Sequence, residues 1–250
     1  MRRPLIAGNW KMFKTIPETV TTLTQLKKNV ADVHHCEIAV CPPFTALAAA
    51  WGVLKGTNVH LGAQNCHWEE KGAYTGEVSV AMLADAGCKH VIAGHSERRQ
   101  YFGETDESVN KRMFAALKGG LIPIVCIGET LQEREKGVTF SVLETQVKKG
   151  MAGLDARQSG QIVIAYEPVW AIGTGKTATP QQAEEVHAFI RKLYADIYGS
   201  LASENVRVLY GGSVKPENVS ELMQQKNIDG GLVGGASLEA ETFTKIIKYK

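Results

Sequence analysis

The stretch IVIAYEP at residues 162–168 is an apolar run that ends in an acid and a proline. Its first five residues show no polar alternation, which is typical of a parallel strand covered on both faces. Similar short apolar runs recur along the chain, and several of them are nearly continuous. Together they predict eight strands, at residues 5–7, 38–41, 59–63, 90–93, 121–127, 162–166, 206–210 and 230–233.

Amphipathic stretches of helical period separate these runs. Thr15 with Pro17 predicts one helix start, and Thr179 before Pro180 predicts another that opens a helix over residues 181–198. Further helices are predicted at residues 217–224 and 238–248. Strand followed by helix, eight times over, predicts an α/β fold with a parallel sheet. Eight units in 250 residues favour a closed (β/α)8 barrel over an open doubly wound sheet.

Composition narrows the class of protein. The 28 Lys and Arg residues against 26 Asp and Glu residues leave a net charge of +2, so no nucleic-acid or anionic membrane partner is expected. No apolar run approaches the ~18 residues that a membrane helix needs. The five cysteines include no Cys-x-x-Cys pair, which favours reduced thiols and a cytoplasmic location. No linker-like segment interrupts the chain, so residues 1–250 are expected to form a single domain.

Glycine pairs follow the last two predicted strands. Gly211-Gly212 precedes Ser213 after the seventh strand, and Gly234-Gly235 follows the eighth. Bare backbone there brings N–H groups close to an anion, although either pair alone is more simply explained as a tight turn. Both pairs at the ends of adjacent last strands match the recurring phosphate site of barrel enzymes. The sequence therefore predicts a phosphate site at this end of the barrel.

The sequence GTGKTA at residues 173–178 resembles two nucleotide-binding motifs, and neither fits its context. A P-loop requires a glycine five residues before Gly175, where Trp170 stands. The dinucleotide motif must follow a strand directly, and six residues intervene here. A long loop, stiffened by Pro168 at one end and hinged by Gly-Thr-Gly at the other, is the better interpretation and is typical of an active-site lid.

Three polar residues follow predicted strands and point to acid–base chemistry. His95 lies at a predicted helix start, whose positive end disfavours the imidazolium, so a neutral imidazole can donate a hydrogen bond to a developing oxyanion. Glu167 and Lys11 are, each alone, equally well explained as a salt-bridge partner and a surface charge. Together the three supply the base, the neutral donor and the cation that proton abstraction beside a carbonyl requires. The remaining histidines have no metal-ligand spacing, so no metal site is predicted.

Short motifs along the whole chain resemble the triosephosphate isomerase family, in the order in which that family carries them. The matching stretches are AGNWK at 7–11, GHSERR at 94–99, AYEPVWAIGTG at 165–175, YGGSV at 210–214 and GGAS at 234–237. The resemblance implies interconversion of dihydroxyacetone phosphate and glyceraldehyde 3-phosphate, in glycolysis and gluconeogenesis, without a metal or an organic cofactor.

The resemblance also implies a role for each catalytic residue. Glu167 would move a proton between the two carbons, and His95 would stay neutral and polarise the carbonyl oxygens. Lys11, with Asn9 beside it, would stabilise the negative enediolate, and Glu97 would hold Lys11 in position.

For the substrate phosphate, the resemblance implies backbone N–H groups around Gly173, Ser213, Gly234 and Gly235. Residues 168–177 would close over the site as a lid and exclude water.

A homodimer is implied by a further stretch. QN at 64–65 and GAYTGE at 72–77 resemble the family's dimer-forming loop, here the loop from Asn65 to Glu77. One departure from the family pattern lies near this contact, because Phe13 stands where many relatives carry Asn.

Two other functions are compatible with a phosphate site in a barrel. A lyase or aldolase acting through a Schiff base would need a lysine from a later strand, whereas the sixth strand ends in Glu167. A barrel that only binds a sugar phosphate or a partner protein would be expected to lack Glu167, His95 or Lys11, and all three are present.

Overall fold

A computed structural model describes residues 2–171 and 177–250 of the chain. Eight parallel strands pair in sequence order and close into a barrel. The strands are β1 Leu5–Asn9, β2 Glu37–Cys41, β3 Val59–Ala63, β4 Cys88–Ala93, β5 Ile122–Ile127, β6 Val163–Tyr166, β7 Arg207–Tyr210 and β8 Gly230–Val233. The predicted (β/α)8 barrel is therefore confirmed, with each strand end within two residues of its predicted position.

Helices surround the barrel on its outer face. They are α1 Ile16–Asn29, α2 Leu47–Leu54, α3 Val80–Asp85, α4 Ser96–Phe102, α5 Asp106–Lys118, α6 Leu131–Glu135, α7 Thr139–Gly150, α8 Pro180–Tyr198, α9 Ser200–Asn205, α10 Val219–Met223 and α11 Ala240–Ile247. The prediction of one helix after each strand is too simple, because among the described residues two helices follow each of β4, β5 and β6.

Local capping explains why the predicted helix starts are correct. The Thr179 hydroxyl accepts the N–H of Gln182, and the Gln182 carboxamide accepts the N–H of Thr179, at 3.1 and 3.0 Å. Thr15 and Glu18 form the same reciprocal pair before α1. The two last predicted helices, 217–224 and 238–248, are each shorter at both ends than predicted. Their flanking residues form turns and bends, to which apolar periodicity is insensitive.

Two layers of buried side chains result from the alternation along each strand. Side chains that point inward fill the barrel itself, and those that point outward pack against the helices. The inner cluster consists of Leu5, Ala7, Ala39, Cys41, Ile92, Ile124, Cys126, Val163, Ala165, Leu209 and Leu232. Because both faces are dry, the strands are apolar almost throughout.

The barrel closes between β8 and β1, where the backbones approach closely. Gly230 pairs with Leu5 and adopts φ = 137°. A Cβ atom at Gly230 would lie 1.9 Å from the Leu5 carbonyl oxygen, so only glycine fits. This glycine therefore marks the closure of the barrel as well as the start of β8.

A charged cluster lies among side chains from four strands, at Glu37, His60, Lys89, His90 and Arg207. Lys89 Nζ and Arg207 Nη1 lie 2.7 and 2.6 Å from the Glu37 carboxylate. His90 is fully buried, and neither of its ring nitrogens has a hydrogen-bond partner within residues 2–171 and 177–250. The pKa of His90 is lowered to about 3, mainly by burial; the Glu37 carboxylate opposes this shift, and the charges of Arg207, Lys89 and His60 add to it.

Replacing His90 by Leu should reduce the acid lability of the fold. In the unfolded chain the His90 imidazole takes up a proton near pH 6.5, whereas in the folded protein it stays neutral down to about pH 3. The free energy of unfolding therefore falls as the pH drops below 6.5. At pH 5 this linkage amounts to about 2 kcal/mol and at pH 8 to about zero. Urea unfolding at pH 5 and pH 8 gives the free energy of unfolding at each pH. The difference between the two values should be smaller in His90→Leu than in the wild type by about 2 kcal/mol. The exposed-histidine control His34→Leu should keep the wild-type difference; an unchanged difference in His90→Leu would contradict the prediction.

Candidate active site

The carboxyl ends of the strands surround a cavity of about 270 Å³. Residues that follow β1, β4, β6, β7 and β8 line it, because parallel strands in a barrel end on the same face. We call it the strand-end cavity; its lining is Asn9, Lys11, His95, Glu167, Ala171, Gly211, Gly212, Ser213, Val214, Lys215, Leu232, Gly234, Gly235 and Ala236. Its polar groups come from segments as far apart as residues 9 and 235.

Glu167 is held at the end of β6 with only 2 % of its surface exposed. Its Oε1 lies 2.9 Å from His95 Nε2, and its Oε2 accepts the N–H of Ser96 at 2.9 Å. Its backbone N–H donates to Ile127 at the end of β5 at 2.8 Å. The carboxylate is thus anchored on both oxygens by the start of α4.

The close pair of Glu167 and His95 shifts the pKa of both groups. Burial raises the pKa of Glu167, but His95, the Ser96 N–H and Lys11 outweigh it, and the net shift is downward. For His95, burial lowers the pKa, whereas the Glu167 carboxylate and then Glu97 raise it above the ordinary value. Glu167 is therefore ionised at neutral pH, as a base must be.

The hydrogen bonds of His95 define its tautomer. His95 is the N-cap of α4, and its Nδ1 accepts the backbone N–H of Glu97 at 3.2 Å. An amide N–H can only donate, so this bond requires a lone pair on Nδ1 and places the ring proton on Nε2. The bond therefore selects an imidazole that donates from Nε2.

Lys11 reaches the cavity from the loop after β1. Its Nζ lies 2.5 Å from Oε1 of Glu97, and its N–H donates to Oδ1 of Asn9 at 3.1 Å. A Cβ atom placed on Gly234 would lie 3.4 Å from Lys11 Cε, so the stem of the lysine passes beside the end of β8. Glu97, which the resemblance implies would hold Lys11 in position, thus lies in direct contact with the Lys11 ammonium.

The two glycine-rich ends are held by neighbouring side chains. Trp10 donates its indole N–H to the carbonyl of Ser237 at 3.0 Å, and the Ser237 hydroxyl donates to the Gly234 carbonyl at 2.7 Å. After β7, Asn218 donates to the Ser213 carbonyl at 3.0 Å. Both turns thus keep a definite shape beside the cavity.

The structure brings together nearly all of the predicted site residues. Seven of them line the cavity directly: Asn9, Lys11, His95, Glu167, Ser213, Gly234 and Gly235. Glu97 does not line the cavity but contacts Lys11, which does. Gly173 and the middle of the predicted lid lie outside the described residues.

Sequence reasoning missed several neighbours of these residues. The Ser96 N–H holds Glu167, whereas the sequence marks Ser96 only by its position at a helix start and within the motif GHSERR. Lys215 lines the cavity but carries no motif. Gly128, at the end of β5, is forced to be glycine because its Cβ would lie 1.8 Å from the Glu167 carbonyl oxygen.

The described part of the chain contains no cluster of potential metal ligands. Within residues 2–171 and 177–250, no group of three or more His, Cys, Asp or Glu side chains is arranged to hold a metal ion. The polar groups that line the cavity include a carboxylate, an imidazole, ammonium groups and backbone groups.

Comparison with known proteins agrees with the geometry. The family model described as triosephosphate isomerase matches residues 4–250. The chain belongs to the triosephosphate isomerase family. A triosephosphate isomerase of Endomicrobium trichonymphae is 63 % identical over 249 residues, covering 100 % of this chain and 99 % of the relative. One of Geotalea uraniireducens is 57 % identical over 249 residues with the same coverage.

A solved structure gives the same result. The crystal structure of triosephosphate isomerase from Bartonella henselae superimposes with a TM-score of 0.89 and 42 % sequence identity, covering 98 % of this chain and 97 % of that one. The family resemblance and the isomerase function predicted from the sequence are thereby confirmed.

Gly128→Ala should lower kcat/KM by about a hundredfold, because its methyl group would push the Glu167 backbone away and a displacement near 1 Å costs about that factor. A steady-state assay with glyceraldehyde 3-phosphate measures the loss. The matched control is Gly160→Ala, where a Cβ atom meets nothing within 4 Å. Wild-type kcat/KM in Gly128→Ala would show that the position of Glu167 tolerates this contact.

Proposed function

We propose that the chain interconverts dihydroxyacetone phosphate and glyceraldehyde 3-phosphate by proton transfer through an enediolate in the strand-end cavity. The observation that carries the proposal is the convergence of an ionised carboxylate, an imidazole and an ammonium on one cavity. Glu167 removes a proton from the carbon that bears the hydroxyl group, which leaves the electron pair in the enediolate. The same residue then returns the proton to the neighbouring carbon.

His95 acts in this proposal as a neutral donor. Its Nε2 lies 2.9 Å from Oε1 of Glu167, and its Nε2–H becomes available to the substrate oxygens once Glu167 turns to the substrate carbon. The Glu167 carboxylate raises the pKa of His95, and this effect weakens when Glu167 moves away. Burial and Lys11 continue to lower the pKa of His95. A neutral imidazole can then polarise one oxygen and move protons between the two.

Lys11 supplies the fixed positive charge that the enediolate needs. Glu97 orients the ammonium, and Asn9 is bonded to the backbone of the same lysine. A cation held before the negative charge develops costs no reorganisation during the reaction.

The substrate phosphate is assigned to backbone N–H groups around Gly173, Ser213, Gly234 and Gly235. Support comes from the last three, which line the cavity at the ends of adjacent strands. We further propose that residues 168–177 close over the bound substrate and exclude water, so that the intermediate keeps its phosphate. Metal ions and organic cofactors have no part in this scheme.

A coupled assay in the presence of EDTA tests both the reaction and its independence of metals. The purified protein should turn over glyceraldehyde 3-phosphate at the same rate with and without EDTA. Glu167→Gln should lose most turnover, because the amide cannot accept the proton, while glycerol 3-phosphate still binds. Titration calorimetry measures the binding.

Three outcomes would contradict the proposal. No turnover by the wild-type chain excludes the isomerase reaction and leaves a barrel that only binds phosphates. Loss of activity in EDTA that is restored by added metal excludes the cofactor-free scheme. Equal loss of turnover and of binding in Glu167→Gln assigns that residue a structural role.

We also propose that the chain forms a homodimer through the dimer segment, which we define as residues 65–77. Large apolar side chains are exposed in this segment and in the loop to which Gln64 is bonded. Tyr74 lies within the segment, and Met12 and Phe13, 94 % and 55 % exposed, follow Lys11, whose carbonyl accepts a hydrogen bond from Gln64. Exposed apolar side chains of this kind are typical of a protein–protein interface.

The free thiols of all five cysteines, each buried, support a reducing, cytoplasmic location. Within the described residues, no helix has the length and apolarity to cross a bilayer.

Light scattering at micromolar concentration should give twice the chain mass of 27.2 kDa. Phe13→Asp should shift the mass towards that of the monomer, because a carboxylate would be buried without a partner. The control Leu201→Asp changes another exposed apolar side chain, on α9, and should leave the dimer intact. A monomeric wild-type chain would exclude the proposed assembly.

A further inference from the structure

The backbone of Lys11 is strained. It adopts φ = 52°, in the left-handed region that residues with side chains rarely occupy. Lys14, three residues on, has φ = 72°, so two lysines of one short loop share this conformation. Such conformations persist only where the surrounding structure holds them, and they cluster at functional sites. The residues that hold Lys11 in this state are therefore of functional interest.

The Gln64 side chain, after β3, supplies much of this support. Its Nε2 donates to the carbonyl of Lys11 at 2.8 Å and to that of Cys41 at 2.9 Å. Both protons of one carboxamide are thus used to join the loop after β1 to the end of β2. On the other side of Lys11, Asn9 accepts the N–H of the lysine. The backbone of Lys11 is therefore held from both ends.

We infer that Gln64 is a positioning residue for the isomerase reaction and acts through Lys11. Rotation of the strained Lys11 backbone would redirect its Cα–Cβ bond and move the ammonium away from Glu97 and the cavity. Gln64 resists this rotation by holding the carbonyl oxygen of Lys11. The inference rests on the proposed role of Lys11 as the cation that faces the enediolate.

Gln64 also lies next to the proposed dimer interface. It directly precedes the dimer segment, and Asn65, the first residue of that segment, accepts a hydrogen bond from Arg112 at 3.1 Å. The same loop therefore holds Lys11 at one end and begins the proposed interface at the other. Light scattering of each Gln64 variant must accompany the assays, so that loss of the dimer is not counted as a positioning effect.

A matched control for lost hydrogen bonds exists elsewhere in the fold. Asn58 donates its side-chain amide to two backbone carbonyls, of Val30 at 2.7 Å and Val33 at 3.1 Å. These groups lie outside the strand-end cavity. Asn58→Leu therefore removes the same kind and number of hydrogen bonds as Gln64→Met, without touching Lys11.

The first experiment compares the two variants. Gln64→Met should lower kcat/KM by about tenfold to a hundredfold, the effect of a displacement near 1 Å in a catalytic group. Asn58→Leu should keep wild-type kcat/KM at a similar loss of thermal stability. Equal activities in the two variants would overturn the inference. Gln64→Asn keeps the amide, but its side chain is one methylene too short to reach both carbonyls, so it should also lower kcat/KM. This variant replaces Gln64→Met in the comparison if Gln64→Met does not fold.

The decisive experiment is a double-mutant cycle with Lys11→Met, read as the affinity for glycerol 3-phosphate. Titration calorimetry suits this purpose because the double variant needs no activity. Gln64→Met should weaken binding in the wild-type background and leave it unchanged in the Lys11→Met background, since the group through which it acts is gone. The same fold-loss in both backgrounds would show a merely structural role. If Lys11→Met alone retains full turnover and affinity, the proposed role of Lys11 itself fails, which the single variant reveals independently.

Discussion

Closure of the barrel between β8 and β1 is the constraint on which the functional site depends. Four register pairs, from Leu5 with Gly230 to Gly8 with Val233, bring the first and last strands of the chain side by side. The close approach at Gly230 leaves no room for a side chain. Because the two strands run parallel, the loop that carries Lys11 then lies beside the turn that carries Gly234. An ammonium and a candidate phosphate site, more than 220 residues apart in sequence, are neighbours for this reason alone.

Burial strengthens the electrostatic interactions of the site. Each buried charge therefore needs a partner. A carboxylate as enclosed as Glu167 would take up a proton unless partners held it ionised. His95 Nε2 and the Ser96 N–H meet its two oxygens, and Lys11 adds a more distant positive charge. The same contacts restrain the direction of the carboxylate. A carboxylate that is ionised, dry and oriented is thus a product of packing as much as of residue type.

A site residue could be predicted from the sequence only where its side chain suggests a chemical role and its position follows a predicted strand. Glu167 follows a clear apolar strand and precedes proline, and His95 precedes a helix start, so both were accessible to pattern and resemblance. Ser96 contributes a backbone N–H, which every residue except proline has, so its side chain gives no sign of it. Gly128 is required by the carbonyl oxygen of Glu167 on the adjacent strand, a contact that no local pattern records.

Apolar runs of strand length, separated by capped amphipathic segments, were enough to predict eight strands and a barrel, because periodicity and capping are local properties of the chain. Family motifs added the reaction. The tertiary structure decided the rest: which oxygen of Glu167 meets which donor, which nitrogen of His95 keeps its lone pair, and that Gln64 supports the strained backbone of Lys11. Those features depend on distances between segments remote in sequence, and such distances exist only once the barrel has closed.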